Sequence, residues 1–374
     1  MIQKMTVILP TCLALALVPL AFVGCRAQKA GQYFVDEHPI IIAHKSDGSM
    51  HFTCLNREKC IPPIESFGWL SSCGIDEESN LYCLFGLGDI VYVNLEQQSA
   101  RHIAIDSDPK FEGALHFLYA YGKIVLADFE TVVIISKDSS YKIVQPETES
   151  EVGGISIGGL VRGKKDQVVT FSPSPVEKDG KSFVTVFIID LNSGDVVEKP
   201  LPCPPFVEAT QASLAEWKPG VNYGLRLVSV TPDLDKLYYI FEESGEEAGE
   251  VRLRLEVFDT KDERGLHVYG GPSGCVPPPG RYRQHNEYLF VEPGKGGPLL
   301  LRLNDLSPVV DFEALQRRGL GFGIQAFSPF GQYFLVGTPT EAFVLSQDGD
   351  VLREYSLPVE LFGKSYTFVE YLND

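Results

Sequence analysis

The chain has 374 residues, of which 44% are hydrophobic and 22% charged, so it has enough apolar material for a packed core and is not composed like a disordered chain. Its formal net charge is −18. This charge excludes nucleic acid as a partner, because binding to phosphates depends on Lys and Arg that neutralise them. Acidity keeps an exported protein soluble and by itself requires no acidic function.

The first predicted element is an export signal that ends in a candidate anchor. Lys4 is the only charged side chain before an apolar stretch that ends at Gly24, which is typical of a secretory signal peptide. The end of the stretch, Phe22-Val23-Gly24-Cys25, resembles the lipobox of bacterial lipoproteins, in which a cysteine is acylated and becomes the new amino terminus. The resemblance implies that Cys25 carries a lipid, that residues 1–24 are removed and that residues 25–31 form a linker.

Two other interpretations of this segment stay open. Phe22 stands where lipoproteins usually have Leu, and cleavage near Ala27 would give a secreted protein without a lipid. A stretch of about 20 apolar residues is also long enough for an uncleaved membrane helix, although Pro10 and Pro19 weaken such a helix. All three interpretations place the rest of the chain outside the cytoplasm, with a lipoprotein of the cell envelope as the favoured one.

The cysteines agree with export. Cys12 lies in the signal and Cys25 at its end, and six others follow: Cys54, Cys60, Cys73, Cys83, Cys203 and Cys275. An even number of cysteines in an exported domain predicts disulfides. The simplest pairing joins Cys54 to Cys60 and Cys73 to Cys83 across a hairpin, while Cys203 and Cys275 each lie in a Pro-rich connector; other pairings stay open. No CxxC or His-rich spacing supports zinc.

From residue 32 onward the chain repeats one unit, an apolar strand followed by a polar turn and a second strand. Seven copies occur, with their apolar strands at 40–43, 90–93, 132–135, 186–189, 255–258, 299–303 and 342–345. Their turns start near positions 46, 94, 136, 190, 259, 304 and 346. Blades of β-propellers recur at roughly 40 to 50 residues, and the two longer intervals contain insertions at 174–182 and 242–250.

Two further segments resemble the turn between the first two strands of a propeller blade. Phe327-Ser328-Pro329-Phe330-Gly331 and Val230-Thr231-Pro232-Asp233 are similar to the Ser-Pro-Asp-Gly turn of WD40-like, TolB-like and YVTN-type repeats. No closer family is identified, since Trp-Asp pairs are absent and Trp69 and Trp217 do not match the Trp position of PQQ-type repeats. The resemblance implies a propeller and no particular function.

We therefore predict an all-β, seven-bladed β-propeller over residues 32–374, with six or eight blades as alternatives and two β-sandwich domains as the rival fold. The first copy has too few residues before it for a whole blade. The strand-like segment from Ser365 to Tyr371 is expected to complete that blade and so close the ring, because an unpaired strand edge invites aggregation.

The sequence offers little chemistry. Gly154-Ile155-Ser156-Ile157-Gly158 has the letters of a nucleophile elbow but no helix after it. His44 and His51 flank the first turn, where a cross-strand pair is favoured over a surface metal site. Acidic groups, as in Asp76-Glu77-Glu78, are expected in solvated turns. Arg281-Tyr282-Arg283 is a small basic cluster that could mark a contact point. We predict no catalytic residue, no metal ligand and no cofactor.

These observations favour a noncatalytic module in the cell envelope that binds a protein or a surface polymer. The alternative is a propeller-type enzyme, such as a glycan hydrolase or lyase or a lactonase-like hydrolase, with its site at the mouth of the central channel. A third interpretation is an envelope assembly factor, similar to propeller lipoproteins that help outer-membrane proteins to insert. The fold alone does not decide among these.

Overall fold

The structure is a computed structural model of the chain. It describes residues 38–58, 61–65, 68–76, 78, 80–86, 88–94, 97, 99–105, 111, 113–147, 157–172, 176–178, 181–202, 222–244, 251–262, 264–270, 281–285, 288–292, 299–303, 307–309, 326–330 and 333–372.

The described part is all-β, with one short 3-10 turn at Val359–Leu361. The first strands are β1 (Ile41–Ser46), β2 (Ser49–Cys54), β3 (Ile64–Glu65), β4 (Leu70–Asp76), β5 (Asn80–Phe85), β6 (Asp89–Asn94), β7 (Ser99–Ala104), β8 (His116–Ala120), β9 (Lys123–Ala127), β10 (Val132–Ile135), β11 (Tyr141–Val144), β12 (Leu160–Arg162), β13 (Gln167–Phe171), β14 (Val176–Lys178), β15 (Lys181–Asp190) and β16 (Val196–Pro202). The others are β17 (Asn222–Val230), β18 (Lys236–Ser244), β19 (Val251–Asp259), β20 (Arg264–Gly270), β21 (Arg281–His285), β22 (Tyr288–Glu292), β23 (Leu299–Arg302), β24 (Ala326–Phe330), β25 (Tyr333–Gly337), β26 (Glu341–Leu345), β27 (Val351–Ser356), β28 (Thr367–Phe368) and β29 (Glu370–Leu372).

Successive strands pair antiparallel and form the blades of a β-propeller. In chain order the described blades consist of β28 with β1–β3, β4–β7, β8–β11, β12–β16, β17–β20, β21–β23 and β24–β27, and we number them 1 to 7. The blade count of the whole chain stays a prediction, because segments such as 203–221 and 310–325 lie outside the described residues. The domain limits at residues 1–24 and 25–31 also stay predictions, since those residues lie outside the described part.

Burial on both faces explains why the strands appear as unbroken apolar runs. In β9, Ile124 and Leu126 pack in a cluster with blade 2, whereas Val125 and Ala127 pack in a cluster with blade 4. Alternate side chains of a strand point to opposite faces of its sheet. A strand between two neighbouring blades therefore needs apolar residues at every position.

The same kind of contact connects the blades in a ring. Apolar clusters join blades 1 and 2, 2 and 3, 3 and 4, 4 and 5, 6 and 7, and 7 and 1. Blades 5 and 6 are joined by the buried Tyr238 hydroxyl, which donates to the Leu303 carbonyl oxygen at 2.8 Å. The contacts thus return from the last blade to the first.

The carboxyl-terminal segment closes this ring, as the sequence predicted. Ile42 on β1 pairs with Phe368 on β28, so the end of the chain supplies the innermost strand of blade 1. The segment is not one strand, however. After Val369, β29 runs parallel to the innermost strands of blades 2 and 7, which lie on either side of blade 1. Tyr371 pairs with Ile75 on β4 and with Phe330 on β24.

The first sequence repeat is out of phase with the others, which corrects the sequence interpretation. Its hairpin, β1 and β2, forms the second and third strands of blade 1, whereas the apolar strand of each other repeat is the third strand of its blade. The mistake has a physical cause: every hairpin of a blade is an apolar strand, a polar turn and another strand. Only pairing with β28 shows which hairpin this is.

One of the two expected Ser-Pro-type turns is described by the structure. The segment Thr231–Asp235 joins β17 to β18, the first and second strands of blade 5. In the other segment Ser328 and Pro329 belong to strand β24 itself, and residues 331–332 between β24 and β25 lie outside the described residues. In the first turn, the Lys236 amide donates to the Thr231 hydroxyl oxygen at 3.0 Å, which fixes the loop.

Candidate binding surface on the upper face

The strand order defines two faces of the ring. We call the upper face the one that carries the loops from the second to the third strand of a blade and from the fourth strand to the first strand of the next blade. The lower face carries the other two kinds of loop. Both insertions seen in the sequence fall between the second and third strands of a blade, which is the upper-face side: residues 176–178 form β14 in blade 4, and residues 242–244 belong to β18 in blade 5.

The lower face is held together by contacts between blades. Lys142 donates through Nζ to the Ser193 carbonyl oxygen at 2.5 Å, and Arg302 donates to the Asp348 carboxylate at 2.8 Å. In each case a basic side chain of one blade binds the turn between the third and fourth strands of the next. Asp190 shapes such a turn, because its carboxylate accepts from the Ser193 and Asn192 amides, both at 2.8 Å. These two backbone hydrogen bonds lower the pKa of Asp190.

The upper face instead exposes large apolar side chains. Eight large hydrophobic side chains are exposed in the described part of the chain, and five of them lie in upper-face loops: Trp69, Leu115, Phe129, Val359 and Phe362. The other three, Tyr141, Val197 and Val351, lie on the outermost strands β11, β16 and β27. The five belong to the loops of blades 7, 1, 2 and 3, which are consecutive in the ring. We call these five residues the apolar arc.

Trp69 is exposed although its backbone is fixed. Its side chain has 61% relative accessibility, while its carbonyl oxygen accepts from the Gly86 amide at 2.8 Å. The preceding Gly68 has φ +139°, a conformation that favours glycine, and its carbonyl oxygen accepts from Lys45 Nζ at 2.9 Å. Ser71 adds a hydrogen bond to the Gly86 carbonyl oxygen at 2.7 Å. The loop therefore presents Trp69 in a defined position.

Phe129 lies at the tip of a similarly fixed loop. Asp128 is buried, and its Oδ1 accepts from the amides of Glu130 at 2.8 Å and Thr131 at 2.6 Å. The Phe129 carbonyl oxygen accepts from the Ile157 amide at 2.6 Å. These bonds satisfy the polar groups of the loop and leave the aromatic ring in solvent, at 54% accessibility.

Val359 and Phe362 project from the loop between blades 7 and 1. Leu361 between them is fully buried in the cluster shared by those blades, and it anchors the 3-10 turn. Below the loop, the buried Tyr366 hydroxyl donates to the Thr338 carbonyl oxygen at 2.7 Å, and burial raises the pKa of Tyr366. The turn thus has one side in the core and one side, including Val359 at 76% accessibility, in solvent.

The two histidines predicted to face each other do so on this side of blade 1. His44 and His51 are directly opposite in the β1–β2 register, and their ring centroids lie 5.6 Å apart with 29° between the ring planes. Burial, His51 and Lys364 lower the pKa of His44, and Glu360 acts in the opposite direction. In the described residues, no group of three or more His, Cys, Asp or Glu side chains is placed to hold a metal ion.

The disulfide expected between Cys73 and Cys83 is present across the β4–β5 hairpin. Cys73 and Cys83 are directly opposite on β4 and β5, with their Cα atoms 4.2 Å apart, and they are bonded. Cys54 is also disulfide-bonded. The other expected partners, Cys60, Cys203 and Cys275, and the expected lipid site Cys25 lie outside the described residues.

The prediction of a solvated acidic turn is wrong for Asp76. This carboxylate is 4% exposed, and it accepts from the Asn80 amide at 2.8 Å and from the Tyr82 hydroxyl at 3.2 Å. It ends the innermost strand of blade 2 at the lower face and is engaged in shaping its own turn. The sequence could not show this, because the acidic neighbours gave the segment the composition of a solvated loop.

The other sequence candidates add little to the site. The structure does not describe most of the Gly154–Gly158 segment, nor the side chains of Arg281, Tyr282 and Arg283.

The sequence analysis missed the apolar arc, although Trp69 beside Gly68 was a signal. A bulky aromatic residue next to a glycine in a loop is unusual for a residue that packs in a core. Among the described residues, no helix is long and apolar enough to span a bilayer.

Comparisons with known proteins match this architecture at low identity. No family model matches the chain, and no curated protein sequence matches it. Solved structures that are similar include AztD from Citrobacter koseri, with 10% identity and TM-score 0.46 over 88% of this chain and 97% of that one. The Cps50 (Swd1) β-propeller domain of Myceliophteria thermophila has 13% identity and TM-score 0.45 over 82% and 91%. BamB from Moraxella catarrhalis has 12% identity and TM-score 0.40 over 86% and 85%.

Proposed function

We propose that this protein is an exported, lipid-anchored β-propeller of the cell envelope that binds another protein through the apolar arc and carries out no reaction. The observation that supports the proposal is the placement of Trp69, Phe129 and Phe362, which are exposed on one face of consecutive blades. Exposed apolar side chains collected on one surface are typical of interaction sites. Fixed backbones reduce the entropy lost on binding.

A protein suits this surface better than a polar polymer does. Trp69 can stack on a sugar ring as well as on a peptide, but Val359 and Leu115 offer no hydrogen bonds to hydroxyl groups. Burying their aliphatic surface yields free energy only against apolar atoms of the partner. Aromatic anchors with aliphatic neighbours are the usual centre of a protein–protein interface.

The position of the expected anchor is consistent with a free upper face. The chain enters β1 from the lower face, where Asn56 holds it by accepting from the Ile40 amide and donating to the His38 carbonyl oxygen, both at 2.8 Å. Cys25 precedes His38 by 13 positions (38 − 25), a span of at most about 45 Å when extended. A lipid on Cys25 would thus be connected to the propeller at its lower face, on the side opposite to the apolar arc.

A photo-cross-linking experiment in intact cells tests the proposed surface. The photoreactive residue p-benzoylphenylalanine replaces Trp69 in one strain and Tyr141 in a matched control strain; Tyr141 is also exposed, but it begins the outermost strand β11. We expect a covalent adduct with a protein from position 69 and a much weaker one from position 141. Equal adducts from both positions, an adduct of position 69 with a glycan or lipid only, or no adduct there would each contradict the proposal.

A further inference from the structure

In the part of the chain that the structure describes, the charges of the upper-face loops are mostly negative. The exposed carboxylates of the upper-face loops with described side chains are Asp47, Glu65, Glu130, Glu147 and Glu360, and the exposed basic residues there are Lys45 and Lys364. Lys45 donates to the Gly68 carbonyl oxygen, and the charge of Lys364 helps to lower the pKa of His44. None of the five carboxylates forms an ion pair with another described residue.

The lower face has carboxylates of both kinds. Glu78 pairs with Lys137 at 2.8 Å, Asp348 pairs with Arg302 at 2.8 Å, and Asp235 pairs with Lys261, whereas Glu58, Asp195 and Asp350 are exposed there without an ion pair among the described residues. The carboxylates of the upper face are distinguished by their position, since Glu130 and Glu360 lie in the same loops as Phe129 and Phe362.

We infer that the partner contacts this surface with a basic segment. The apolar side chains of that segment pack on the apolar arc, and Lys and Arg lie between or beside them. This inference rests on the proposed function and adds the chemistry of the partner. When an interface closes over Trp69 and Phe129, the neighbouring Glu65 and Glu130 lose part of their water. That loss is offset only if the partner brings positive charge.

The same charges exclude other occupants. A second copy of this chain would bring a surface of the same sign against the arc, and like charges placed opposite each other cost free energy. An anionic membrane surface is repelled for the same reason. Acidic proteins are rejected and basic ones are steered toward the face, since the molecule as a whole carries a net charge of −18.

The test begins with the cross-link from position 69. The cross-linked segment of the partner is sequenced by mass spectrometry, and a synthetic copy of it is titrated against the purified full chain carrying Cys25→Ser. We expect a segment with net positive charge, whose dissociation constant rises about fivefold or more when NaCl is raised from about 50 to about 300 mM. The same titration is made with Glu65→Gln, Glu130→Gln and Glu360→Gln combined.

A matched variant separates the local effect from the net charge. Glu58→Gln, Asp195→Asn and Asp350→Asn combined remove the same three charges from exposed lower-face positions. We expect the upper-face variant to bind about tenfold more weakly than the parent and the lower-face variant to bind within about twofold of it. A neutral or acidic segment, equal losses in the two variants, or no salt dependence would overturn the inference while leaving the proposed function intact. Absence of any adduct at position 69 overturns both.

Discussion

The side chain of Leu372 fills the space that a β-carbon on Gly74 would need, since an ideal Cβ there lies 2.6 Å from Leu372 Cγ. Gly74 is in β4, the innermost strand of blade 2, and Glu370 in β29 is its backbone partner. The close approach lets the end of the chain lie against blade 2. This contact between the chain end and blade 2 therefore needs a glycine that is nearly 300 positions away in the sequence (372 − 74 = 298).

Gly74→Ala is expected to destabilise the protein by about 1 to 3 kcal/mol, because the added methyl group must displace Leu372 or shift β29. Leu372→Ala alone costs about 2 to 4 kcal/mol, because it leaves a cavity in a buried site. Guanidinium unfolding of both single variants and of the double variant measures the coupling. The double variant is expected to lose less than the sum of the two, and strict additivity would show that the contact does not restrict β29.

Reduction of the Cys73–Cys83 disulfide is expected to lower the free energy of unfolding by about 3 kcal/mol, because the bond closes a short loop in the unfolded chain. Cys73→Ala combined with Cys83→Ala should show a comparable loss. Unfolding curves with and without a reducing agent give the measurement. The agent should then have a smaller effect on the double variant than on the parent, and an undiminished effect would assign the loss to the disulfide of Cys54.

Stability is expected to fall as the pH drops below about 6.5, the usual His pKa in an unfolded chain. Burial is the largest cause that lowers the pKa of His44, followed by His51 and Lys364. The folded protein binds this proton less tightly than the unfolded chain does. The contribution of neutral His44 is therefore present above the unfolded pKa and is lost as pH falls through the folded pKa.

Unfolding measured at about pH 7.5 and about pH 5.5 tests this point. His44→Gln should reduce the difference between the two pH values. NMR titration should show that Glu360→Gln lowers the pKa of His44 further, while His51→Gln raises it, because the two neighbours act in opposite directions. An unchanged pH difference in His44→Gln would assign the effect to other groups.

Trp69→Ala and Phe362→Ala are expected to change the free energy of unfolding by no more than about 0.5 kcal/mol, because both side chains are exposed. Each should weaken partner binding about thirtyfold, the loss typical of an aromatic anchor. Tyr141→Ala and Val351→Ala are matched controls, exposed on outermost strands, and should bind as the parent does. Calorimetry and titration with the cross-linked partner give both quantities. Equal binding by all four variants would show that the apolar arc is not the interface.

Cys25→Ser is expected to release the protein from the membrane fraction, because the lipobox-like segment places the acyl chain on that sulfur. Fractionation of cells that express the parent or the variant, followed by immunoblotting, gives the measurement. The unchanged propeller of the variant can be checked by its thermal unfolding. Equal membrane association of the two forms would remove the lipid anchor from the proposal and leave the binding surface unaffected.

The sequence by itself determined the strands, because their apolar residues and the polar turns between them recur at a period that suits a blade. It also determined two cross-strand pairs, Cys73 with Cys83 and His44 with His51. Such pairs need only one hairpin with its turn in place, and hairpin register is a local property of the chain. Closure by the chain end was foreseen because an open ring leaves an unpaired edge.

Only the tertiary structure decided which hairpin of blade 1 the first repeat is, how the chain end divides into β28 and β29, and that Trp69, Phe129 and Phe362 share one face. The pairing of Ile42 with Phe368 fixes the phase of the whole ring, and no local pattern records a contact between residues so far apart. The same holds for Asp76, whose burial depends on Asn80 and Tyr82 closing around it. The alternation of side chains along a strand shows which residues share a face of the sheet. It does not show what that face contacts, because the neighbouring blades decide this.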